Sequence, residues 1–369
     1  MVPRKISGVS RHLRHILLET PETPMMNPKA NAAFDSHEEV VYFGDEALGF
    51  VGIIAIHSPA LGPAGGGCRI WRYARDEDAL TDALRLSRGM TYKNAMAELP
   101  MGGGKGVVYK MGADRGACME KFGEAVEALG GRYITAEDVG ATVADMRAIA
   151  RRASYVAGIP KEGGRAGGDP SPWTSLGAHL SIKALLGGSV QGRTIAVQGT
   201  GAVGFGLCKL LKEEGAKLIV ADVNAANLAR ATALGAEISP VESIHTIAAD
   251  VFSPNALGAG LNARTIPELG APIVCGAANN QLETEDDGAR LLARGITYAP
   301  DYVVNAGGII NVSAEYLGES SEAVEARVRA IPARVLAVLE AAKRDGIAPH
   351  QAADRMVRDR IAAARGDKA

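Results

Sequence analysis

The chain has no C-x-x-C pair, no H-x-x-x-H and no cluster of cysteine with histidine. Cys68, Cys118, Cys208 and Cys275 stand far apart, which argues against a disulfide framework and fits reduced thiols in a cytoplasmic protein. The seven histidines are scattered too, so no structural zinc site and no other metal is expected. No apolar run approaches the roughly 18 residues of a membrane helix. In the opening stretch, MVPRKISGVSRHLRHILLETPETPMM, the longest apolar run is the three residues Ile16–Leu18, shorter than the core of a secretory signal. Residues 1–25 read as a poorly ordered extension, with a mitochondrial-type presequence as the alternative. Neither sign of charge prevails: 40 Lys and Arg face 42 Asp and Glu, for a net charge of -2. Without a basic stripe, nucleic acid is not an expected partner, and neither is a membrane.

What remains is ordinary soluble-protein chemistry on a long chain. At 369 residues it exceeds the size at which one core keeps growing, so two domains are expected. GFVGIIAIHS, Gly49 to Ser58, predicts a buried strand. DEDALTDALRLSRGMTYKNAM, Asp76 to Met96, repeats apolar residues at three and four and predicts a helix, with Asp76 or Asp78 as its cap. A glycine loop then leads into a strand, KGVVYKM. MEKFGEAVEAL predicts a helix, and RYITAEDVG a strand ending at acids. GIPKEGGRAGGDPSPWTS, Gly158 to Ser175, holds five glycines and three prolines and predicts a linker or hinge. After it, TIAVQG, FGLCKLLKEEG, KLIVADV, ANLARATALG, DVFSP and PIVCGAAN alternate strand and helix, the rhythm of a doubly wound parallel sheet. From Glu322 to Arg365 the chain predicts helix. The class is α/β in two domains: an N-terminal α/β substrate domain over 26–158 and a C-terminal doubly wound Rossmann domain over 159–325. C-terminal helices over 326–369 are expected to pack back toward the first domain.

The second half carries Gly199, Gly201 and Gly204 as G-x-G-x-x-G, with Thr200, Ala202 and Val203 between and beside them. The pattern follows a predicted strand and opens a predicted helix, the context in which a pyrophosphate meets free N–H groups. Asp222 ends the next strand, 18 residues after Gly204. An acid there accepts bonds from ribose hydroxyls and repels a 2′-phosphate, so the expected cofactor is NAD. In the first half, LPMGGGKGVV is not a phosphate loop. The first glycine of G-x-x-x-x-G-K-[ST] would fall on Leu99, and Gly106 replaces the hydroxyl residue. Lys105 therefore needs another task, as does Lys93 twelve residues before it. A lysine desolvated among apolar and glycine neighbours can move protons near neutral pH, and one left charged binds a carboxylate. Asp138, in TAEDVG, is a second candidate for proton transfer. Two lysines, an acid and a dinucleotide site suit oxidation of an amine beside a carboxylate.

These residues resemble the amino-acid dehydrogenases acting on glutamate, leucine, phenylalanine and valine. LGPAGGGCRIW, DALRLSRGMTYKNA, GGGKGVV, RYITAEDVGATVADM, GDPSPWT, GAANNQL and YAPDYVVNAGG follow the family's order from about Asn31 to Arg360. The resemblance implies that Lys93 pairs with the substrate carboxylate and that Lys105 activates the attacking water. It implies that Asp138 relays protons at the amino nitrogen and that Asn280 holds the substrate's polar end. Arg69, Thr174 and Asn305 match positions around the nicotinamide. The glycines before Lys105 would let substrate and cofactor lie close to the backbone. Gly65, Ala136, Ile309 and Val312 match the side-chain pocket, whose aliphatic character implies leucine, isoleucine or valine. Gly65 stands where leucine dehydrogenases carry a larger apolar residue, which opens room for a phenyl ring and makes phenylalanine the alternative. Cys68 replaces a usual threonine. The expected ligands are an L-amino acid, a 2-oxo acid and ammonia, and the expected state is a homo-oligomer, dimer or octamer. A non-catalytic NAD sensor is the reading from another class.

Overall fold

The computed structural model describes residues 26–159, 166–256 and 258–366. The expected N-terminal extension and part of the expected linker lie outside them. The chain divides into two units, at 94/95, 99/100 and 160/161, with residues 95–99 grouping with the second.

In the first unit, β1 (Glu39–Asp45), β2 (Phe50–Ser58), β3 (Ala64–Gly65) and β4 (Cys68–Ile70) precede helix α1 (Asp76–Met96). Strand β5 (Gly102–Lys110), helix α2 (Arg115–Ala128), strand β6 (Tyr133–Ile134) and helix α3 (Val143–Ala150) follow. The sheet runs β1-β2-β5-β3-β6, with β4 also pairing β5. β5 is its axis, antiparallel to β2 and parallel to β3 and β4. Its side chains alternate between two layers, as a strand's must. Val107 packs with Ala79, Leu80, Ala83 and Leu84 of α1. Val108 packs with Met119 and Phe122 of α2. Lys105, in phase with Val107, is thereby aimed at the α1 side.

The glycines before Lys105 are strand, not loop, and protein atoms claim the space their side chains would fill. A Cβ on Gly103 would lie 2.0 Å from the Thr91 amide nitrogen of α1. On Gly102 it would meet the Ser58 carbonyl oxygen at 2.0 Å, and on Gly104 the Tyr133 ring at 2.7 Å. The expectation that these glycines admit substrate and cofactor is therefore corrected: they let α1 and Tyr133 lie directly on the strand. The predicted strand over RYITAEDVG is also shorter than expected, laddered only at Tyr133 and Ile134, with isolated bridges at Thr135 and Glu137.

The second unit opens with α4 (Ser171–Leu185), which overturns the linker reading of Ser171 to Ser175. Pro172 sits in its first turn, where a missing N–H costs nothing. Then come β7 (Thr194–Gln198), α5 (Ala202–Glu213), β8 (Lys217–Ala221), α6 (Ala225–Ala233), β9 (Glu237–Ile238), β10 (Val251–Pro254) and β11 (Ile273–Val274). After them follow α7 (Asp286–Ala293), β12 (Thr297–Tyr298), α8 (Asp301–Val304), α9 (Gly307–Leu317), α10 (Ser321–Arg329), α11 (Ile331–Asp345) and α12 (Pro349–Arg365). The sheet order is β12-β11-β10-β7-β8-β9, every pair parallel. Strand order reverses between β7 and β10, so a switch-point crevice opens at the carboxyl end of β7, where Gly199 follows. Glu98, at the end of the segment grouped with this unit, pairs with Arg334 of α11 and Arg360 of α12. No described helix is long and apolar enough to cross a membrane.

Candidate active site

On the first unit, three of the expected residues converge. Lys105 is 4% exposed, and its Nζ lies 2.8 Å from Asp138 Oδ2. Arg69 Nε donates to that same oxygen at 3.1 Å. β4 makes this possible by alternation: Cys68 and Ile70 join the α2-side core while Arg69 points the other way, toward α1. Burial works to raise the Asp138 carboxyl, but Lys105 and Arg69 outweigh it and hold it below the ordinary carboxylate range. Both cations use Oδ2. A half-buried carboxylate held ionised 2.8 Å from a buried lysine can accept a proton from Nζ without moving a heavy atom.

Arg69 was placed at the nicotinamide by resemblance. Its contacts here are with Asp138 and, through Nη1 at 2.8 Å, with Asp82 of α1. Asp82 also accepts from the Tyr73 hydroxyl at 2.5 Å. Neither Asp82 nor Tyr73 was singled out from sequence. The available signal was a carboxylate between Ala79, Leu80, Ala83 and Leu84 on a helix that otherwise buries that stretch. Cys68 is fully buried, and its thiol is pushed far up by that burial, so its place is in the core.

Lys93 sits in the last turns of α1, half-exposed, between residues that touch the sheet. Asn94 Nδ2 donates to the Gly102 carbonyl at 2.6 Å, and a Cβ on Gly66 would lie 3.3 Å from Met90 Cγ. Gly65 lies beside Gly103 in the β3–β5 register. A Cβ there would stand 2.5 Å from Met101 Cε and 3.6 Å from its Sδ. The space expected to be open at Gly65 is thus filled by the Met101 thioether. Ala136 is half-buried just before Asp138.

On the second unit, the glycine loop has three distinct tasks. Gly199 takes φ +89, a turn that disfavours side chains. Gly204 would place a Cβ 2.0 Å from the Gly199 carbonyl oxygen, so α5 closes directly on the turn. At Gly201 a Cβ would meet nothing within 4 Å. α5 starts at Ala202 with no side-chain cap on its first N–H groups. An open approach at the middle glycine and uncapped amides beyond it suit a pyrophosphate. Asp222 accepts from Thr200 N at 2.7 Å and Asn224 N at 2.8 Å. Burial works to raise its carboxyl, but the backbone amides of Asn224 and Thr200 win and hold it low. The carboxylate thus shapes the loop.

Thr174 and Asn305 also belong to this unit. A Cβ on Gly308, at the start of α9, would lie 3.0 Å from Thr174 Oγ1. Asn305 Nδ2 donates to Asn279 Oδ1 at 2.8 Å, while its own buried Oδ1 accepts from no group among the described residues. A buried acceptor left over in this way suits the carboxamide N–H of a nicotinamide. Ile309 and Val312, three apart on α9, are both half-buried. Asn280 is exposed and left-handed at φ +53, in the loop after β11, its carbonyl accepting from Ala259 N at 2.7 Å.

The chain is similar to known proteins over most of its length. Residues 37–155 match the Glu/Leu/Phe/Val dehydrogenase dimerisation domain, and residues 221–368 match the Glutamate/Leucine/Phenylalanine/Valine dehydrogenase domain. The chain is 47% identical to a leucine dehydrogenase of Thermoactinomyces intermedius, covering 88% of this chain and 91% of that one. It is 44% identical to a valine dehydrogenase of Streptomyces virginiae, covering 89% and 95%. The crystal structure of an L-tryptophan dehydrogenase from Nostoc punctiforme superposes with a TM-score of 0.81 at 41% identity, covering 89% and 97%. The chain belongs to the Glu/Leu/Phe/Val dehydrogenase family and is an amino-acid dehydrogenase.

Proposed function

We propose that the protein oxidatively deaminates a branched-chain L-amino acid — leucine, isoleucine or valine — to the 2-oxo acid and ammonia, reversibly, with NAD. The observation that carries the reading is the pairing of buried Lys105 with half-buried Asp138 at 2.8 Å. When bound at the Gly199–Gly204 loop, NAD supplies the hydride acceptor. The chain's own residues handle the rest. Asp138 takes a proton from the substrate ammonium, because a charged amine cannot release hydride from Cα. Lys93 pairs with the carboxylate by a charge-assisted bond. Once the iminium has formed, Lys105 in its neutral form takes a proton from the attacking water, Asp138 returns its proton to the nitrogen, and the same carboxylate takes up the hydroxyl proton as the C–N bond breaks and ammonia leaves. Asn280 holds the polar end of the substrate, while Ala136, Ile309 and Val312 offer its side chain an aliphatic surface. The Met101 thioether beside Gly65 favours an aliphatic substrate over phenylalanine. Cytoplasmic location and a homo-oligomer complete the reading, the latter supported by the dimerisation domain matched over residues 37–155.

A panel of L-amino acids compared by kcat/KM with NAD tests this directly. Growth of NADH absorbance, fastest with leucine, isoleucine or valine, is expected. A preference for phenylalanine, or NADH formed only with other amino acids, would overturn the substrate class.

Asp222→Ala tests the cofactor. NAD affinity is expected to fall, and the preference for NAD over NADP to narrow by about five- to tenfold, near the net worth of one hydrogen bond. Affinity alone is an ambiguous readout, because the variant also frees Thr200. The ratio of the two cofactors is the decisive one: if it is unchanged, Asp222 only shapes the loop.

A further inference from the structure

Arg69 carries two carboxylates, and one of them has no part in the chemistry above. We propose that Asp82 is a positioning residue for the Lys105–Asp138 pair: seated by Tyr73, it holds and neutralises Arg69, so that Asp138 keeps a free and basic carboxylate oxygen for the substrate nitrogen. The proposal rests on the reading that Lys105 and Asp138 move the protons.

The geometry shows how this works. A guanidinium facing a single carboxylate tends to grip it with two parallel bonds, occupying both oxygens. Arg69 does not do so. Its Nη1 is committed to Asp82 Oδ2 at 2.8 Å, and a single Nε–H reaches Asp138 Oδ2 at 3.1 Å. Lys105 Nζ takes that same Oδ2, so the described contacts leave Oδ1 of Asp138 to the substrate. Asp82 can be firm because its backbone is firm. It lies on α1 between Ala79 and Ala83, both fully buried, and α1 rests directly on β5 where Thr91 meets Gly103. Tyr73 adds a donor to the oxygen Arg69 uses. Burial, with Asp82 beside it, pushes the Tyr73 phenol well up, so it remains a donor across the working range.

The charges point the same way. Lys105 from β5, Arg69 from β4, Asp82 from α1 and Asp138 itself make two cations and two carboxylates, a balanced set. Cys68 and Tyr133, in the core on the other face of the sheet, also feel the Asp138 charge, and burial pushes both far up, so they stay neutral. Glu137, next in the chain, is exposed. Without the Asp82 charge, Arg69 acts on Asp138 undivided. Its carboxylate then becomes harder to protonate and weaker as a base.

The test is the pH profile of kcat/KM for L-leucine with NAD. In Asp82→Asn the acid limb is expected to move to lower pH by about 0.5 to 1 unit, since a neighbouring charge shifts a carboxylate by about that much or more. The plateau is expected to fall roughly three- to tenfold, as a weaker base transfers the proton less readily. Asp82→Glu is expected to restore the limb. A merely structural role would lower activity, or Tm, without moving the limb. An Asp82→Asn limb that stays in place, or moves to higher pH, in a chain of unchanged Tm overturns the proposal. Lys105→Ala assayed alongside separates the two levels. If Lys105→Ala is inactive and the Asp82→Asn limb is unmoved, only this proposal fails. If Lys105→Ala turns over normally, the proton-transfer reading fails and takes this proposal with it.

Discussion

Lys105→Ala is expected to lose turnover by roughly 10²- to 10⁴-fold, the usual worth of a positioned acid–base group, while binding NAD much as the parent chain does. The lysine belongs to the first unit, and the glycine loop, Thr174 and Asn305 all belong to the second. The ion pair described for Lys105, with Asp138, lies within the first unit. The loss has two sources. The base that deprotonates the attacking water is gone. Lys105 is also foremost among the cations that hold Asp138 ionised, so in the variant burial acts on that carboxyl with only Arg69, shared with Asp82, to oppose it. The Asp138 carboxyl is expected to titrate at higher pH, and residual activity should show an acid limb displaced upward. That direction is opposite to the one expected for Asp82→Asn, so the two variants check each other. Small primary amines added to Lys105→Ala are expected to recover part of the rate, because the deletion leaves a buried gap beside Asp138. A variant retaining more than about a tenth of the parent kcat, against the roughly hundredfold minimum expected of a general base, would rule out the proposed water activation.

The part of the site that sequence alone disclosed is the part made by local pattern. The helix Asp76–Met96 follows from apolar residues at three and four, and its ends fall where that period stops. The G-x-G-x-x-G loop is legible because strand, turn, helix and a later acid lie within one short stretch, and each glycine has its own steric reason. Other features depend on distant atoms. GGGK looks like a loop because glycine is a poor strand former, yet its pairing with β2, β3 and β4 makes it the axis of a sheet. Nothing near Gly103 in the sequence announces that the Thr91 backbone will occupy its missing side chain. Helix α4 begins inside a run of glycine and proline, and the small residues Gly177, Ala178 and Ser181 on it give no amphipathic stripe. The Tyr73–Asp82–Arg69–Asp138–Lys105 chain joins a connecting segment, a helix, two strands and a loop, and only the folded chain brings them together.

Met101→Ala is expected to lower the ratio of kcat/KM for leucine over phenylalanine by roughly 5- to 150-fold. The figure follows from about 1–3 kcal/mol of discrimination for a small change in pocket volume, with about 1.4 kcal/mol per tenfold. Gly65 by itself would suggest a pocket already open to a phenyl ring. The structure places the Met101 methyl 2.5 Å from where a side chain at 65 would begin, so that room is taken. Met101 is 3% exposed and precedes β5, the strand that carries Lys105. Its truncation should admit the larger ring and leave leucine with uncompensated voids. Loss of a buried methionine side chain costs about 2–5 kcal/mol of stability, so Tm must be followed and the assay run well below it. Gly65→Leu is expected to act in the opposite sense. The new side chain cannot share space with the Met101 thioether, and displacement of either one narrows the pocket against phenylalanine. The combined Gly65→Leu, Met101→Ala chain then exchanges volume from one wall residue to the other. Volume-conserving exchanges are the best tolerated in packed interiors. Its ratio should return close to that of the parent, a non-additivity that independent sites would not produce. If Met101→Ala folds, turns over leucine and leaves the ratio unchanged, neither Met101 nor Gly65 faces the substrate side chain. The aliphatic preference would then lie with Ala136, Ile309 and Val312.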